Sequence, residues 1–351
     1  MKPAGNAATL RNSFHRWPKV DLHCHLDGAL RVETIFQIAR KQKIAIPADS
    51  PEELKKFVQV SPSCRSLTDF LKCFTYFYEV LKSAETMERI SYELCEDTSA
   101  ENVRYFEPRY APALQESKDF HMEDSLKSVL RGLSAGGKKF KVGWGVILCI
   151  FRSHTKEVAD ETVRLADKYR NDGVVAIDLA GDEARYPVGQ YKSAFDMARE
   201  RKIPITCHAG EAAGPESIRN AVRLGSQRIG HGVRVLEDPA LYRELIDRRI
   251  PFEICLTSNV QTQVVHHLKD HPLPKFIQDG LYVTLNTDDP GVSGIDLTHE
   301  YEVAARELGV TSEQARKLVF NGIGALFIDD KKKKEMTQEF EKEFAKIDGA
   351  K

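Results

Sequence analysis

Two histidines stand two residues apart in Lys19-Val20-Asp21-Leu22-His23-Cys24-His25-Leu26-Asp27-Gly28. Val20, Leu22 and Cys24 alternate with Asp21, His23 and His25, the period of a strand, which predicts both imidazoles on one face. Rings so placed can share a metal ion. Downstream come His208-Ala209-Gly210-Glu211, Gly230-His231-Gly232 and Asn286-Thr287-Asp288-Asp289, each at the end of an apolar strand-like run. Together they point to metal-assisted hydrolysis. His23, His25, His208 and Asp288 supply three imidazoles and a carboxylate, a donor set that suits zinc with a position left for water; iron, cobalt and manganese are the rivals. The run Ile177-Asp178-Leu179-Ala180-Gly181-Asp182-Glu183 has no lysine to bridge a second ion, so one metal is expected, although Asp178 and Glu183 could in principle bridge.

The remaining polar groups suit the rest of such a reaction. His231, between two glycines, is placed to take a proton from the attacking water or to hold it in line. Glu211 follows a ligand in a glycine-containing loop. It can protonate a ring nitrogen if burial raises its pKa, or else support a ligand imidazole. Asp289 offers a second carboxylate aimed into the pocket, because a metal holds its neighbour Asp288 ionised. Cys24 and Cys207 read as small packing residues on the opposite strand faces.

These groups need a frame that brings distant segments to one place. Candidate strands run over 19–25, 103–109, 141–150, 174–180, 204–208, 228–231, 251–256 and 282–288, most of them nearly continuous apolar runs, with helical patterns between. Eight alternating units predict an α/β fold, a (β/α)8 TIM barrel with a helical insertion after the first strand; an open doubly wound sheet is the rival. Ligands drawn from the ends of separate strands favour the barrel. The expected organisation is a flexible N-terminus over 1–16 and one catalytic barrel over 17–351, with a helical lid insertion over about 31–102. Three helical patterns fall in the insertion, 32–43, 67–82 and 86–101. Leu67, Phe70, Leu71 and Phe74 form one apolar stripe that can pack on the barrel or wall a ligand. The tail 331–346 reads as an amphipathic helix with a solvated lysine-rich first turn.

Composition excludes several classes. Lys+Arg 51 against Asp+Glu 52 gives a net charge of -1, so neither nucleic acid nor an anionic membrane is expected as a partner. No apolar run is long enough to span a bilayer, and residues 1–16 lack the apolar centre of a secretory signal. Seven cysteines without a C-x-x-C pair fit a reducing, cytoplasmic setting.

The ordered set VDLHCHLDGAL, VVAIDLAGDE, CHAGE, RIGHGVRVLED, FEICLTSNVQT and LNTDDP resembles the adenosine deaminase family, amidohydrolase-type barrels that use zinc, from about Pro18 to Phe327. The other zinc deaminases carry H-x-E with P-C-x-x-C, which this chain lacks. The resemblance implies one zinc per subunit on His23, His25, His208 and Asp288, and a proton carried by Glu211 to purine N1. It implies that His231 orients and deprotonates the water that attacks C6. Asp289 would contact N7, the Gly181 amide N3 and Asp27 the ribose 5′-hydroxyl. The stripe Leu67, Phe70, Leu71 and Phe74 is similar to the family's apolar lid helix. The implied partner is a small purine nucleoside, adenosine or 2′-deoxyadenosine, and the implied assembly a monomer or weak homo-oligomer. His25-Leu26-Asp27-Gly28-Ala29 favours the nucleoside enzyme: adenine deaminases usually show Glu-Gly-Thr there and N6-methyl-AMP deaminases Asn-Gly-Ser, and Asp27 would repel a 5′-phosphate. A related 6-aminopurine nucleoside such as aminodeoxyfutalosine is the alternative substrate. A barrel kept only for binding would be expected to lose a ligand or the acid, and amide hydrolysis would leave Glu211 without a ring nitrogen to protonate.

Overall fold

The computed structural model describes residues 7–61, 64 and 66–349. β1 (Lys19–His25), β2 (Val103–Tyr110), β3 (Gly143–Trp144, resuming as Val146–Phe151) and β4 (Val174–Ala180) form one parallel sheet. β5 (Thr206–Ala209), β6 (Arg228–His231), β7 (Phe252–Ile254) and β8 (Val283–Leu285) form another. Two parallel bridges, Ile177 to Ile205 and Cys24 to Asp288, join the sheets at both edges and close the ring. At the second seam the His25 amide donates to the Asp288 carbonyl at 2.6 Å and the Asp288 amide to the His23 carbonyl at 2.7 Å. Helices Met122–Phe140, Lys156–Lys168, Lys192–Glu200, Pro215–Arg223, Pro239–Asp247, Leu273–Asp279 and Ser312–Ala325 return the chain after successive strands. Each buries an apolar stripe; Lys156–Lys168, for example, buries Ala159, Val163, Leu165 and Ala166. Among the described residues no helix is long and apolar enough to cross a membrane.

Several elements differ from the sequence reading for identifiable reasons. The third strand is interrupted at Gly145, where a Cβ would lie 2.6 Å from Val175 Cγ1. The seventh is shorter than 251–256 because Leu256–Gln261 turns helical, its first amides satisfied by the Glu300 carboxylate (Leu256 N at 2.7 Å, Thr257 N at 3.2 Å). Asp21 departs from the alternation in β1. Pairing with β2 is irregular between Asp21 and Cys24, and the Asp21 carboxylate accepts from the His23 amide at 3.2 Å and the Thr287 hydroxyl at 2.7 Å.

The N-terminal reading needs correction. Residues 1–6 lie outside the described residues, but Ala7–His15 is a helix rather than a flexible extension. Phe14 is buried edge-on to Trp17 at 4.8 Å and against Tyr301, and Lys19 Nζ donates to the carbonyls of Phe14 and Trp17. A polar helix is held here by one aromatic anchor, which a search for apolar runs passes over. Trp17 also meets Phe344 of the C-terminal helix Asp330–Gly349 at 5.1 Å.

The stretch 31–102 divides by role. Val32–Gln42 and Ala84–Ala100 pack on neighbouring elements; Ala84–Ala100 lies so close to Met122–Phe140 that a Cβ on Gly132 would be 2.2 Å from the Glu88 carbonyl. Pro51–Val58 is a helix absent from the sequence reading, although Ser50 caps it and proline opens it. The pattern over 67–82 is broken into Leu67–Leu71, a tight turn over Lys72–Phe74, and Thr75–Val80.

Inside the barrel the strands carry charge. Arg109 on β2 donates to Glu253 at 2.8 Å and to Asp178 at 3.2 Å, and Arg228 on β6 pairs with Glu253 at 2.7 Å and Glu107 at 2.6 Å. All are buried. Burial alone would raise the Glu253 carboxyl, but the Arg109 and Arg228 guanidiniums hold it well below the ordinary carboxylate range. Removing one partner of such a set leaves buried charge uncompensated. Glu253→Leu is expected to lose about 3–5 kcal/mol of stability, read from denaturant unfolding. Parent-like stability would show that these guanidiniums do not depend on Glu253.

Candidate active site

The four proposed ligands come from both sheets and meet at the barrel mouth. His23 and His25 lie on β1, His208 on β5, and Asp288 just past β8; their ligand atoms lie within 4.8 Å of one another. Asp288 Oδ1 is 3.1 Å from His23 Nε2 and 3.4 Å from His25 Nε2, and the Nε2 atoms of His25 and His208 are 3.2 Å apart. Two ring nitrogens facing at that distance, with His23 Nε2 buried and lacking a hydrogen-bond partner, suit a shared cation. The opposite ring nitrogens are held by carboxylates: His23 Nδ1 by Glu253 at 2.9 Å and His208 Nδ1 by Asp178 at 3.0 Å. Such outer partners set ring orientation and make the imidazole a better donor to a metal. The residues therefore fit a divalent ion. Neither Glu253 nor this role for Asp178 is visible in the sequence, because each lies far along the chain from the ring it holds.

Glu211 and His231 stand beside this cluster. His231 Nε2 is 3.7 Å from Glu211 Oε2 and 3.9 Å from Asp288 Oδ2. Burial and the neighbouring Asp288 and Glu183 push the Glu211 carboxyl up to about 8. Its loop is pinned from below: the Glu183 carboxylate accepts from the amides of Gly210 (2.7 Å), Glu211 (3.0 Å) and Ala213 (2.9 Å). Burial likewise raises the carboxyls of Asp27, to about 7, and of Asp289, the latter helped by Asp288, Asp27 and Glu211. Asp289 Oδ1 is buried without a partner. Gly28 is required beside it, since a Cβ there would lie 1.7 Å from Asp289 Oδ1. His231 and Asp288 both adopt left-handed backbone, at φ 59 and 63, a strained conformation for residues with side chains.

One pocket collects these groups. Asp27, Gly181, Glu211, His231, Asp288 and Asp289 line it together with His25 and His208. Leu67, Phe70, Leu71 and Phe74 cover it, so the stripe walls the pocket and packs as well, with Phe70 and Phe74 buried. Gly181 has φ 98 and runs beside Phe151, the ring a Cβ there would strike at 2.9 Å. Tyr78, Leu114, Cys149, Phe151 and Thr262 also line the pocket and have no site role in the sequence reading, although Thr262 ends the FEICLTSNVQT motif. Of these, Tyr78 continues the spacing of the stripe from Phe70 and Phe74 and is the one that periodicity could have found.

The adenosine deaminase family profile matches residues 18–343. An adenosine deaminase from Klebsiella pneumoniae is 39% identical over 323 residues, which is 92% of this chain and 97% of that relative. An adenine deaminase structure from Arthrobacter aurescens superposes with a TM-score of 0.86 at 26% identity, covering 93% of this chain and 98% of that one. A cog1816 amidohydrolase from Burkholderia ambifaria, solved with bound Zn, superposes at 0.89 with 25% identity over 99% of this chain and 96% of that one. With eight parallel strands, three histidines and an aspartate gathered at the barrel mouth and this breadth of likeness, the chain belongs to the adenosine deaminase family.

Proposed function

We propose that this protein deaminates adenosine and 2′-deoxyadenosine hydrolytically, giving the inosine nucleoside and ammonia, with one zinc per subunit on His23, His25, His208 and Asp288. The observation that carries the reading is Glu211, a carboxyl buried 3.7 Å from His231 beside the proposed ligands, where burial and neighbouring carboxylates push it up to about 8. Purine C6 is a poor electrophile until N1 is protonated, so a buried acid at that place is what the reaction needs. When bound, zinc supplies Lewis acidity that makes water a nucleophile at neutral pH. Glu211 gives its proton to N1 as the water oxygen bonds to C6, and His231 Nε2 holds that oxygen in line. Of the two protons that the water brought, one returns to the Glu211 carboxylate and restores the acid, and the other goes to N6, so the C6–N6 bond breaks and ammonia leaves.

Orientation comes from the raised carboxyls. N7 only accepts hydrogen bonds, so a protonated Asp289 suits it. The Gly181 amide serves N3, and Asp27 takes the ribose 5′-hydroxyl. Leu67, Phe70, Leu71 and Phe74 exclude water above the base. The match to an adenosine deaminase at 39% identity favours adenosine over adenine or AMP, and the buried Asp27 carboxyl suits a 5′-hydroxyl. Seven scattered cysteines without a C-x-x-C pair fit a cytoplasmic setting, and the assembly is read as a monomer or weak homo-oligomer.

Conversion of adenosine to inosine, followed by ultraviolet absorbance with the zinc-loaded protein, is expected to be fast and to vanish on chelation. Turnover of adenine, AMP or aminodeoxyfutalosine in place of adenosine would reassign the substrate. Glu211→Gln should keep the metal and lose turnover by about 10²–10⁴-fold. Because the Glu211 acid is the active form, the rate should decline as pH rises through about 8. Gly28→Ala should displace Asp289 and cost about 100-fold in kcat/KM while the circular dichroism spectrum stays that of the parent. Parent-like kcat/KM would remove Asp289 from the orienting set.

A further inference from the structure

His231 can hold the attacking water in two opposite ways, donating a hydrogen from Nε2 or accepting one there. The direction is set by a chain of hydrogen bonds that begins on the far side of the ring. Leu273 opens the helix Leu273–Asp279, and its amide is one of the amides that a helix start leaves without a partner. The residue before it is Pro272, which has no side-chain acceptor. The His271 imidazole fills that role instead: the Leu273 amide donates to His271 Nδ1 at 3.1 Å. An amide nitrogen can only donate, so His271 Nδ1 bears a lone pair and the ring hydrogen sits on Nε2.

His271 Nε2 lies 3.2 Å from Asn259 Oδ1. That contact fixes which way the Asn259 amide points, with its oxygen toward His271 and its nitrogen toward His231. Asn259 Nδ2 is 3.1 Å from His231 Nδ1, so the second ring also accepts on Nδ1. A neutral ring that accepts on Nδ1 carries its hydrogen on Nε2. All three side chains are buried. The Asn259 backbone is held at both ends, its amide by the Cys255 carbonyl and its carbonyl by the Val265 amide, each at 2.9 Å. Turning the amide over would set its NH2 against the His271 Nε2 hydrogen, and moving that hydrogen would set two donors together at Leu273. No single step reverses the chain.

We infer that His271 and Asn259 are positioning residues that hold His231 with its hydrogen on Nε2, so that His231 donates to the oxygen of the attacking water and does not take its proton. The inference deepens the proposed deaminase reading and rests on it for the identity of the water. The hydrogen-bond relay itself is independent of the reaction. It also decides between the two uses of His231 left open by the sequence, in favour of holding.

The test is long-range 1H–15N correlation NMR of the zinc-loaded protein labelled at histidine, with His231 identified by the signals lost in His231→Gln. The expected spectrum shows a bare Nδ1 and a protonated Nε2. The opposite tautomer, or a ring protonated on both nitrogens, overturns the relay. Asn259→Asp replaces the amide by acceptor oxygens on both sides and should move the hydrogen to Nδ1. That variant should lose kcat by about 100-fold with KM within about twofold of the parent. A reversed tautomer with unchanged or raised kcat would show that His231 works as a base and would overturn the donor role. Should Asn259→Asp fail to fold, the parent spectrum decides the relay alone. A protein with the expected tautomer but no adenosine turnover would sink the deaminase reading and leave the relay standing.

Discussion

The site depends on one guanidinium. Arg109 reaches from β2 across the barrel to Glu253 on β7 and Asp178 on β4, and those two carboxylates hold His23 and His208. The rings that point at the cluster are thus set by a charge they never face. In a low-dielectric interior such a set persists because each charge faces an opposite one. Arg228 and Glu107 complete it on one side, and the Thr206 hydroxyl donates to Glu253 at 3.1 Å. A barrel interior usually holds branched apolar side chains. Here charge fills that layer, and the apolar core lies outside the strands, between sheet and helices.

Above this layer the carboxyls divide. Asp288 stays ionised: burial opposes it, but His23 and its neighbours hold it well below the ordinary range. Glu211, Asp27 and Asp289 go the other way, raised first by burial and, for Glu211 and Asp289, next by Asp288. Like charges at such close quarters cannot all form, so one anion makes its neighbours acids. The pocket thereby gains hydrogen-bond donors from residues that are acceptors in water. A purine edge, rich in acceptor nitrogens, is the matching surface.

How much of this was legible in the sequence follows from distance along the chain. The strands that bear ligands announce themselves through short local motifs, and the apolar stripe over 67–74 through its period. β1, β4 and β6 fall where alternation and apolar runs place them, while β3 is divided by a glycine whose reason, Val175, sits on another strand. The helix over 7–15 rests on Phe14 finding Trp17 and Tyr301, the last of them far along the chain. Glu253 and Asn259 lie in the FEICLTSNVQT motif but nothing in it shows what they hold, and His271 lies in no motif at all. Each is polar and buried for the sake of a group that only the closed barrel brings near, and a pattern search sees such residues as ordinary loop or strand positions.

The ring is built from two sheets of four strands that touch at single bridges. His23 and His25 belong to the first, while His208 and the Asp288 segment belong to the second. Chemistry and mechanical closure therefore share the same atoms: the seam at Cys24 and Asp288 runs through the ligand cluster itself. A cation held by the four proposed ligands would act as a rivet between two halves. The force that holds the halves together is then the force that shapes the catalytic cup.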